Sequence, residues 1–254
     1  MALLGVREII LIAQDSTYYG LDIYGKRQLA KVLAELGRVD GIAWIRLMYA
    51  FPTGFPEEIL AEIASGPKIC KYIDMPVQHA SDPVLNSMRR GITGERLRSL
   101  IADIRRSVPG IALRTTLIVG YPNEGEKEFE ELLAFVRETE FDRLGVFTYS
   151  QEEGTTAYDM GDPVPQSVKE ERKRLIMEAQ QEISLRKNEA RVGSRLRVLV
   201  DEMDHGSAIA RSEFDAPEID NEVIIQDAAD CEVGEFCDVE IVDAESYELF
   251  AVRH

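Results

Sequence analysis

The sequence predicts an α/β protein in which a partial, open (β/α) barrel is followed by a small antiparallel β-barrel. Apolar strand-like runs alternate with helical patterns up to about residue 150. A stretch rich in Gly, Pro and Asp and a long charged helical pattern follow, and the apolar period then changes to two. Because the first part has five apolar runs rather than eight, an open barrel fits it better than a closed one.

The five apolar runs have the near-continuous character of strands that are buried on both faces of a parallel sheet. They occupy residues 8–13, 43–48, 72–75, 112–119 and 144–149. Helical spacing lies between them, at residues 23–36, after Pro56, from Asp82, at 95–107 and at 126–138. We expect Asp82 to cap its helix ahead of Pro83, and Asn123 to form a capping pair with Glu126.

The second part of the chain begins beyond a loop or linker at residues 151–166. We expect Ser167 to cap a helix that starts at Val168, continues to about residue 191 and stops at Gly193. From Arg195 onward, five short segments of period two, with turn residues between them, indicate the small barrel. We therefore divide the chain into a first domain at 1–191 and a second domain at 192–254.

The charge of the chain is concentrated in the second domain. The whole sequence has 46 acidic and 29 basic residues, a net charge of −17, and residues 192–254 alone have 17 acidic and 4 basic residues. A net charge of −13 on so small a domain repels phosphate backbones and attracts a basic protein. Plain solubility is the alternative explanation of this acidity.

The sequence gives no sign of a membrane span or a secretory signal. No apolar run is long enough to cross a bilayer, and Arg7 and Glu8 interrupt the apolar start. The three cysteines have no paired or metal-ligand spacing, so we expect structural, reduced thiols, no protein-bound metal and a cytoplasmic location. The phosphate-binding pattern GxxxxGK[ST] and the hydrolase patterns GxSxG and HExxH are absent.

Polar or glycine-containing segments follow four of the predicted strands. They are Gln14-Asp15, residues 49–54, Gln78-His79 and residues 120–124. Since the carboxyl ends of parallel strands meet at one edge of a sheet, this repetition predicts a ligand-binding mouth. For residues 120–124 a plain helix start is the alternative, although Gly120 also allows the backbone to approach a ligand closely.

Two charged or titratable residues near these strands are candidates for the site, although their chemistry leaves alternatives open. Arg114 lies in an apolar strand and needs an anionic partner, either a ligand carboxylate or a neighbour such as Asp74. His79 has no second His or Cys nearby in the sequence, so a hydrogen-bonded histidine that lines a pocket is favoured over a base or a metal ligand. No catalytic residue is identified by these patterns.

Several blocks of the chain resemble one family of enzymes. The segments YIDMPVQHASDPVLNSMRRGIT, LRTTLIVGYPNEGEKEFEELLAFV and ARSEFDAPEIDNEVIIQ are similar to the radical S-adenosylmethionine (SAM) methylthiotransferases. AQDSTYYG and VQHAS resemble the branch that modifies a ribosomal protein, the RimO family, whereas the tRNA-modifying branch usually reads more like GQNVNSYG and VQSGS. The resemblance implies a barrel of the radical SAM type followed by a TRAM domain.

The resemblance also implies an activity and cofactors. Members of this family attach a methylthio group to the β-carbon of an aspartate in a small-subunit ribosomal protein, using SAM and [4Fe–4S] clusters. One cluster is bound by a CxxxCxxC loop, and this chain has no such motif. We therefore expect a fragment without the N-terminal domain and the cysteine loop, inactive by itself. Transferred to matching positions, the SAM pocket is bordered by Gln14, Asp15, Gln78, Arg114, Gly120 and Glu124, with His79 at its rim.

Two other functions remain open from the sequence. A tRNA methylthiotransferase would have a TRAM domain that binds RNA, whereas a catalytically inert module would only bind protein. The acidity of residues 192–254 favours a basic ribosomal protein as the partner of the TRAM domain and makes nucleic acid an unfavourable one. No membrane partner is expected.

Overall fold

Five parallel strands lie side by side in chain order in a single sheet of the computed structural model, which describes residues 2–254. Each strand is separated from the next by helical segments, so the sheet is built from successive β/α units. The strands are β1 (Glu8–Leu11), β2 (Trp44–Leu47), β3 (Ile69–Asp74), β4 (Ala112–Val119) and β5 (Arg143–Thr148). This arrangement confirms the predicted parallel, open (β/α) architecture of the first part.

With one exception, the helices of the first part agree with the predicted positions apart from their ends. They are α1 (Leu21–Tyr24), α2 (Leu29–Gly37), α3 (Glu58–Ser65), α4 (Asp82–Ser87), α5 (Gly94–Ser107) and α6 (Glu126–Thr139). The single helix expected at 23–36 is wrong, because the chain turns at Gly25, whose φ of 67° is left-handed. This turn separates α1 from α2.

Two of the expected caps are also wrong. Ser81 precedes α4 as its N-cap residue, and the Asp82 carboxylate instead accepts a hydrogen bond from Gly94 N at 2.8 Å. At the start of α6 the N-cap residue is Gly125, whose N–H donates to the Glu128 carboxylate at 3.0 Å. The pair expected at Asn123 and Glu126 is therefore shifted by two residues along the chain.

The two faces of the sheet have different neighbours. Since successive side chains of a strand point to opposite faces, Ile45, Ile73 and Leu113 lie on one face, within the main apolar core that includes the helices. Trp44 and Tyr72 lie on the other face and belong to an apolar cluster with Leu199, Ala216 and other residues of the second part. The second part of the chain thus covers much of the face that the helices leave free.

The second part is a closed barrel of five strands that follows the long helix α7 (Gln166–Glu189). Its strands are β6 (Arg195–Asp204), β7 (Ser207–Ser212), β8 (Glu222–Gln226), β9 (Phe236–Ala244) and β10 (Glu248–Arg253). The small barrel is confirmed, but β8 and β10 pair in parallel, so it is not wholly antiparallel. α7 begins with Pro165 rather than Ser167 at the N-cap position. The division at residue 191 lies between α7 and β6 and stays a proposal.

An ionic layer joins the two parts of the chain. Arg46 donates to the carbonyl oxygens of Ser212 and Glu213, and Arg143 Nε donates to Asp215 Oδ1 at 2.7 Å. Burial alone would lower the pKa of Arg143, but Asp215 outweighs it and raises that pKa above its ordinary value. Part of the acidity of the second domain therefore neutralises arginines of the first domain.

β1 forms one edge of the sheet, where we expect self-association. Its four residues are half-buried, it pairs only with β2, and the adjacent Ile12 is 66% exposed. An open, apolar edge favours pairing between copies of a chain. In sedimentation velocity the protein should show dimers that Ile12→Lys reduces, while Phe147→Lys, at a 62% exposed residue of the opposite edge strand, should have less effect. A concentration-independent monomer would contradict this expectation.

In the part of the chain that the structure describes, no helix is long and apolar enough to cross a membrane. The cytoplasmic location expected from the sequence stays a prediction.

Candidate functional site

The segments that follow the first three strands are tied together at the carboxyl edge of the sheet. Ser16, next to the predicted Gln14-Asp15 tip, donates through its N–H to Tyr49 O at 3.0 Å and through its hydroxyl to Met48 O at 2.7 Å. Tyr49 N in turn donates to the Asp74 carboxylate at 3.2 Å. Tyr49 has a left-handed φ of 55°, a backbone strain that these contacts hold in place. Hydrogen bonds thus connect the carboxyl ends of β1, β2 and β3 at the predicted ligand-binding mouth.

A cavity of about 460 Å³ opens at the ends of β3, β4 and β5. Gln78, Arg90, Ile118, Tyr121 and Tyr149 are among its lining residues. Gln78 Oε1 and Arg90 Nε are both buried and lack a hydrogen-bond partner within the protein. Since buried polar atoms are nearly always paired, these two atoms have unused capacity for a hydrogen bond beside the cavity.

Arg90 is a residue of the site that the sequence analysis missed. It donates to Pro76 O, and its guanidinium lies 4.1 Å from the centre of the Phe51 ring. Burial lowers the pKa of Arg90 to about 10, although the nearby Asp15 charge acts in the opposite direction. The sequence signal was its position in the MRRG segment after α4, but nothing in the spacing showed that the chain returns there to the strand ends.

The predicted residues Gln14 and Asp15 do not line the same cavity as Gln78. Asp15 borders a second cavity of about 460 Å³ beside β1 and α1, together with Tyr18, Tyr19 and other residues. Its carboxylate caps a short helical turn by accepting bonds from Thr17 N at 2.9 Å and Thr17 Oγ1 at 2.6 Å. Gln14 is exposed. Contact of these two residues with SAM stays a prediction.

His79 is fully buried, and its expected position at the rim of the SAM pocket stays a prediction. Its Nδ1 accepts a hydrogen bond from Ser81 N at 3.0 Å, and its Nε2 lies 3.3 Å from Glu124 Oε2. Because Nδ1 is an acceptor, the ring proton belongs on Nε2, where it faces the carboxylate. Neither nitrogen then has a free lone pair, which leaves His79 unsuited to act as a base or a metal ligand.

Glu124 is also buried, and its carboxylate fixes the turn after β4. Oε2 accepts from Gly120 N at 3.0 Å, and Oε1 accepts from Arg172 Nη1 of α7 at 2.8 Å. Arg172 also donates to Glu124 O at 3.0 Å. The carboxylate therefore shapes the backbone that borders the cavity, and its predicted direct contact with SAM stays untested.

A glycine is required at position 120 because another group lies close to its backbone. That group is the Lys169 side chain of the protein itself, rather than a ligand. The φ of Gly120 is 76°, and an added Cβ would lie 2.3 Å from Lys169 Cγ. Lys169 is itself buried, and its ammonium donates to Tyr149 O at 2.9 Å and to Asp162 at 2.6 Å. Sequence reasoning missed Lys169 and Arg172, because both reach the site from α7, which in the case of Arg172 is 48 residues after its partner Glu124.

Arg114 has protein carboxylates as its partners, the second of the two possibilities that the sequence left open. Its Nη1 lies 2.9 Å from Asp74 Oδ1, and its Nε lies 3.3 Å from Asp220 Oδ1. Asp220 also accepts a bond from the Tyr72 hydroxyl at 2.7 Å. Burial alone would lower the pKa of Arg114, but Asp74, Tyr72 and Asp220 together outweigh it and raise that pKa. Its contact with SAM stays a prediction.

The cysteines lie in two separate places. Cys70 belongs to the apolar cluster between the domains, and Cys231 and Cys237 lie in the core of the second barrel. Burial raises the pKa of Cys70 to about 12, so this thiol is a poor ligand at neutral pH. Within residues 2–254 the structure brings no three His, Cys, Asp or Glu side chains together as a metal site. The residues present do not fit a [4Fe–4S] cluster, which needs several thiolates on one centre.

We expect this chain to bind no iron–sulfur cluster and to leave SAM uncleaved when assayed alone. The reason is that its three thiols are divided between two buried locations. Anaerobic reconstitution with iron and sulfide, followed by iron analysis and a search for 5′-deoxyadenosine, checks the expectation. Stoichiometric four-iron binding together with SAM cleavage would contradict it.

Comparison with known proteins gives the same domain types. A model of the radical SAM superfamily matches residues 2–136, and a TRAM domain model matches residues 192–253. The chain is 53% identical over 250 residues to the ribosomal protein uS12 methylthiotransferase RimO of Chloroherpeton thalassium. It is 50% identical over 247 residues to the protein of the same name from Flavobacterium psychrophilum. Each alignment covers 97% of this chain and 57% of the relative, so the chain spans little more than half of their length.

A solved structure has the same fold at low sequence identity. Coproporphyrinogen III oxidase (HemN) from Escherichia coli, a radical SAM enzyme, matches with a TM-score of 0.54 and 15% identity. The match covers 82% of this chain and 53% of that protein. With the strand order described above, these findings confirm the expected fold, a partial barrel of the radical SAM type followed by a small β-barrel.

Proposed function

This chain belongs to the radical SAM superfamily, within which it corresponds to part of the RimO methylthiotransferases, and from that premise we propose its function. In the complete protein it forms most of the SAM-binding barrel and the TRAM domain of a transferase. That transferase adds a methylthio group to the β-carbon of an aspartate in a small-subunit ribosomal protein. Identity of about one half along nearly the whole chain supports this proposal over a tRNA-modifying or inert protein.

The observation that carries the site assignment is the 460 Å³ cavity with its two unpaired polar atoms. In our proposal Gln78 Oε1 accepts a hydrogen bond from SAM, and Arg90 Nε donates one. Ile118 and Tyr121 supply apolar surface, and the rings of Tyr121 and Tyr149 pack edge to face with centres 5.3 Å apart. When bound beside a cluster, SAM supplies the radical chemistry of the family.

The residues behind the cavity have a positioning role in this proposal. Arg172 donates to the Glu124 carboxylate, His79 Nε2 lies 3.3 Å from it on the other side, and the carboxylate accepts the hydrogen bond of Gly120 N. Such a buried, fully bonded group keeps the turn after β4 in one conformation, so ligand binding does not have to order it. Lys169 fixes the neighbouring carbonyl of Tyr149 in the same way.

SAM binding by the chain itself provides the first test. Titration followed by NMR should perturb the signals of Gln78, Ile118 and Tyr121. Gln78→Ala should weaken binding roughly fivefold, the value of one lost hydrogen bond, and Gln181→Ala, at an exposed position of α7 outside both cavities, serves as a matched control that should change little. If SAM perturbs residues around Tyr18 and Asp15 instead, the ligand occupies the other cavity and the assignment is wrong.

The activity requires a second test with a complete protein. We suggest exchanging the matching segment of the Chloroherpeton thalassium relative for this chain, reconstituting its clusters and incubating it with uS12 and SAM. Mass spectrometry should detect a methylthio group on one aspartate. A chimera that cleaves SAM but leaves uS12 unmodified, while its parent modifies it, would overturn the proposed substrate.

We also propose that the exposed acids of the TRAM domain attract the basic ribosomal protein. Three acidic residues of the TRAM domain are not available for this role, because they accept hydrogen bonds from the first domain: Glu213, Asp215 and Asp220. Other acidic side chains of the domain remain exposed: Glu202, Asp204, Glu218 and Asp238. Attraction between exposed charges increases the association rate and weakens with salt.

Neutralising these four exposed acids with amides should weaken binding of the basic ribosomal protein by about tenfold at low salt and much less at high salt. Calorimetry at two ionic strengths measures the difference. A control with the same change in net charge replaces four exposed glutamates of the first domain: Glu95, Glu130, Glu153 and Glu182. Equal effects of the two variants would show that only total charge matters, and tighter binding of tRNA than of the protein would oppose the partner assignment.

A further inference from the structure

Two buried thiols meet in the core of the second barrel. Cys237 lies in β9, Cys231 lies in the connection from β8, and their sulfur atoms are 3.6 Å apart. They are 5% and 6% exposed, and neither has a part in the proposed SAM site. We propose that Cys231 and Cys237 are a redox-sensitive pair, a modification site that closes to an intramolecular disulfide when a low-molecular-weight disulfide oxidises it. This proposal does not depend on the proposed function.

The position of the two sulfurs favours closure of this pair over other reactions. They are already in contact at 3.6 Å, so they have to approach by only about 1.6 Å to reach the bonded distance of about 2.0 Å. Cys70 is fully buried in the domain interface, in a different apolar cluster from the other two cysteines. The intramolecular bond is therefore expected before any bond to Cys70 or to a second chain.

The segment between the two cysteines gives an oxidant its route of access. Residues 232–235 are exposed, and the turn is attached to β6 by two hydrogen bonds, from Gly234 N to Val200 O at 2.8 Å and from Val200 N to Glu235 O at 2.9 Å. Opening of so short a segment exposes one thiol without unfolding the barrel. The oxidant thus reaches the pair through a local motion.

The reaction proceeds by two exchange steps. The thiolate of one cysteine attacks the reagent disulfide, forming a mixed disulfide and releasing one reagent thiol. The second cysteine then attacks the protein sulfur and releases the other reagent thiol. Two protein S–H groups lose two protons and two electrons in total, and the reagent disulfide is reduced to two thiols.

The rate of closure should increase with pH. Burial and the neighbouring Cys231 thiol raise the pKa of Cys237 to about 11, with smaller effects from Arg253, which lowers it, and Glu235, which raises it. The thiolate of Cys237 is therefore scarce at neutral pH and more abundant in alkaline buffer. Closure at neutral pH is expected to be slower than for exposed thiols.

Closure would restrain a loop at the domain interface. Val233 and Gly234 line a cavity of about 270 Å³ between the barrel and β1, together with Glu8 and Arg211, which form an ion pair across it. A disulfide at the ends of the segment reduces its freedom to open. The redox state of the pair is thereby linked to the contact between the two domains.

Oxidised glutathione is the probe that tests the proposal. After incubation of the folded chain in mildly alkaline buffer, denaturation and alkylation, mass spectrometry should find one free thiol instead of three, with Cys231 and Cys237 joined in one peptide. Cys70→Ser should still form the bond, whereas Cys231→Ser should form none. Retention of all three thiols, stable glutathione adducts without closure, or dimers linked through Cys70 would each overturn the proposal.

A second readout distinguishes a restrained loop from an inert bond. In the oxidised chain, amide hydrogen exchange at Val200 and Gly234 should slow several-fold relative to the reduced chain, while exchange in β4 stays the same. Equal exchange of Val200 and Gly234 in both states would overturn the inferred effect on the loop.

Discussion

Replacing Asp215 with alanine is expected to lower the free energy of unfolding by about 3–5 kcal/mol, because it leaves the buried Arg143 guanidinium without its main counter-ion. Asp215 is 1% exposed and also accepts a hydrogen bond from the Ser212 hydroxyl, so the loss affects both domains. Urea unfolding followed by circular dichroism measures the change.

The neighbouring Glu218→Ala provides the control for this experiment. Glu218 is exposed and lies in the same segment, so its removal should change the unfolding free energy by no more than about 0.5 kcal/mol. Similar small losses for the two variants would mean that the Arg143 pair is solvated and that the ionic layer does not hold the domains together. A double variant in which Arg143 is replaced by methionine should recover part of the loss, since it removes the unpaired charge.

Replacing Gly120 with alanine is expected to cost about 2–5 kcal/mol of stability and to weaken SAM binding. The backbone there has a φ of 76°, which an L-residue adopts with strain, and the new Cβ meets Lys169 Cγ at 2.3 Å. Lys169 cannot move aside freely, because its ammonium is bonded to Tyr149 O and Asp162. The displacement should therefore reach the cavity wall at Tyr149.

Gly110→Ala separates backbone strain from crowding in this test. Gly110 has a similar φ of 80°, but nothing lies within 4 Å of an added Cβ. The difference between the two variants in urea unfolding should be about 1–3 kcal/mol, which is the cost of crowding alone. If the two glycine variants lose the same stability, Lys169 adapts without cost and the close approach is not a constraint.

The sheet could be predicted from the sequence because its strands are short apolar runs that contain few residues typical of helices or turns. Residues 112–119 show this most clearly, since the predicted strand and β4 have the same bounds. The ends of the helices were harder to predict. A side chain such as Asp82 can cap its own helix or bond to a loop further along, and only the folded chain shows that Gly94 N is its partner.

The site was predicted in part, for reasons that depend on where each contact comes from. Gln78 follows its own strand, so the position of the strand was enough to place it at the cavity. Arg90 and Lys169 belong to segments whose position relative to the sheet cannot be predicted from residue spacing. The contacts of His79 with Ser81 and Glu124 are likewise seen only in the folded chain. The ionic layer was missed because the acidity of residues 192–254 was interpreted from composition alone, which carries no information on where Asp215 and Asp220 point.

Arg114 forms ion pairs with Asp220 of the second domain and with Asp74, which in turn accepts a hydrogen bond from Tyr49 N. This chain of contacts has a consequence for how the two domains can be separated or exchanged. A barrel cut off before residue 192 would leave Arg143 without its carboxylate partner Asp215 and would remove partners of Arg46 and Arg114. It would also expose Trp44 and Tyr72 to solvent. A TRAM domain transplanted from another protein would restore the barrel only if it brings carboxylates to the same places. The two domains therefore match each other in charge, and exchange of one domain between distant relatives should succeed only when the other is exchanged with it.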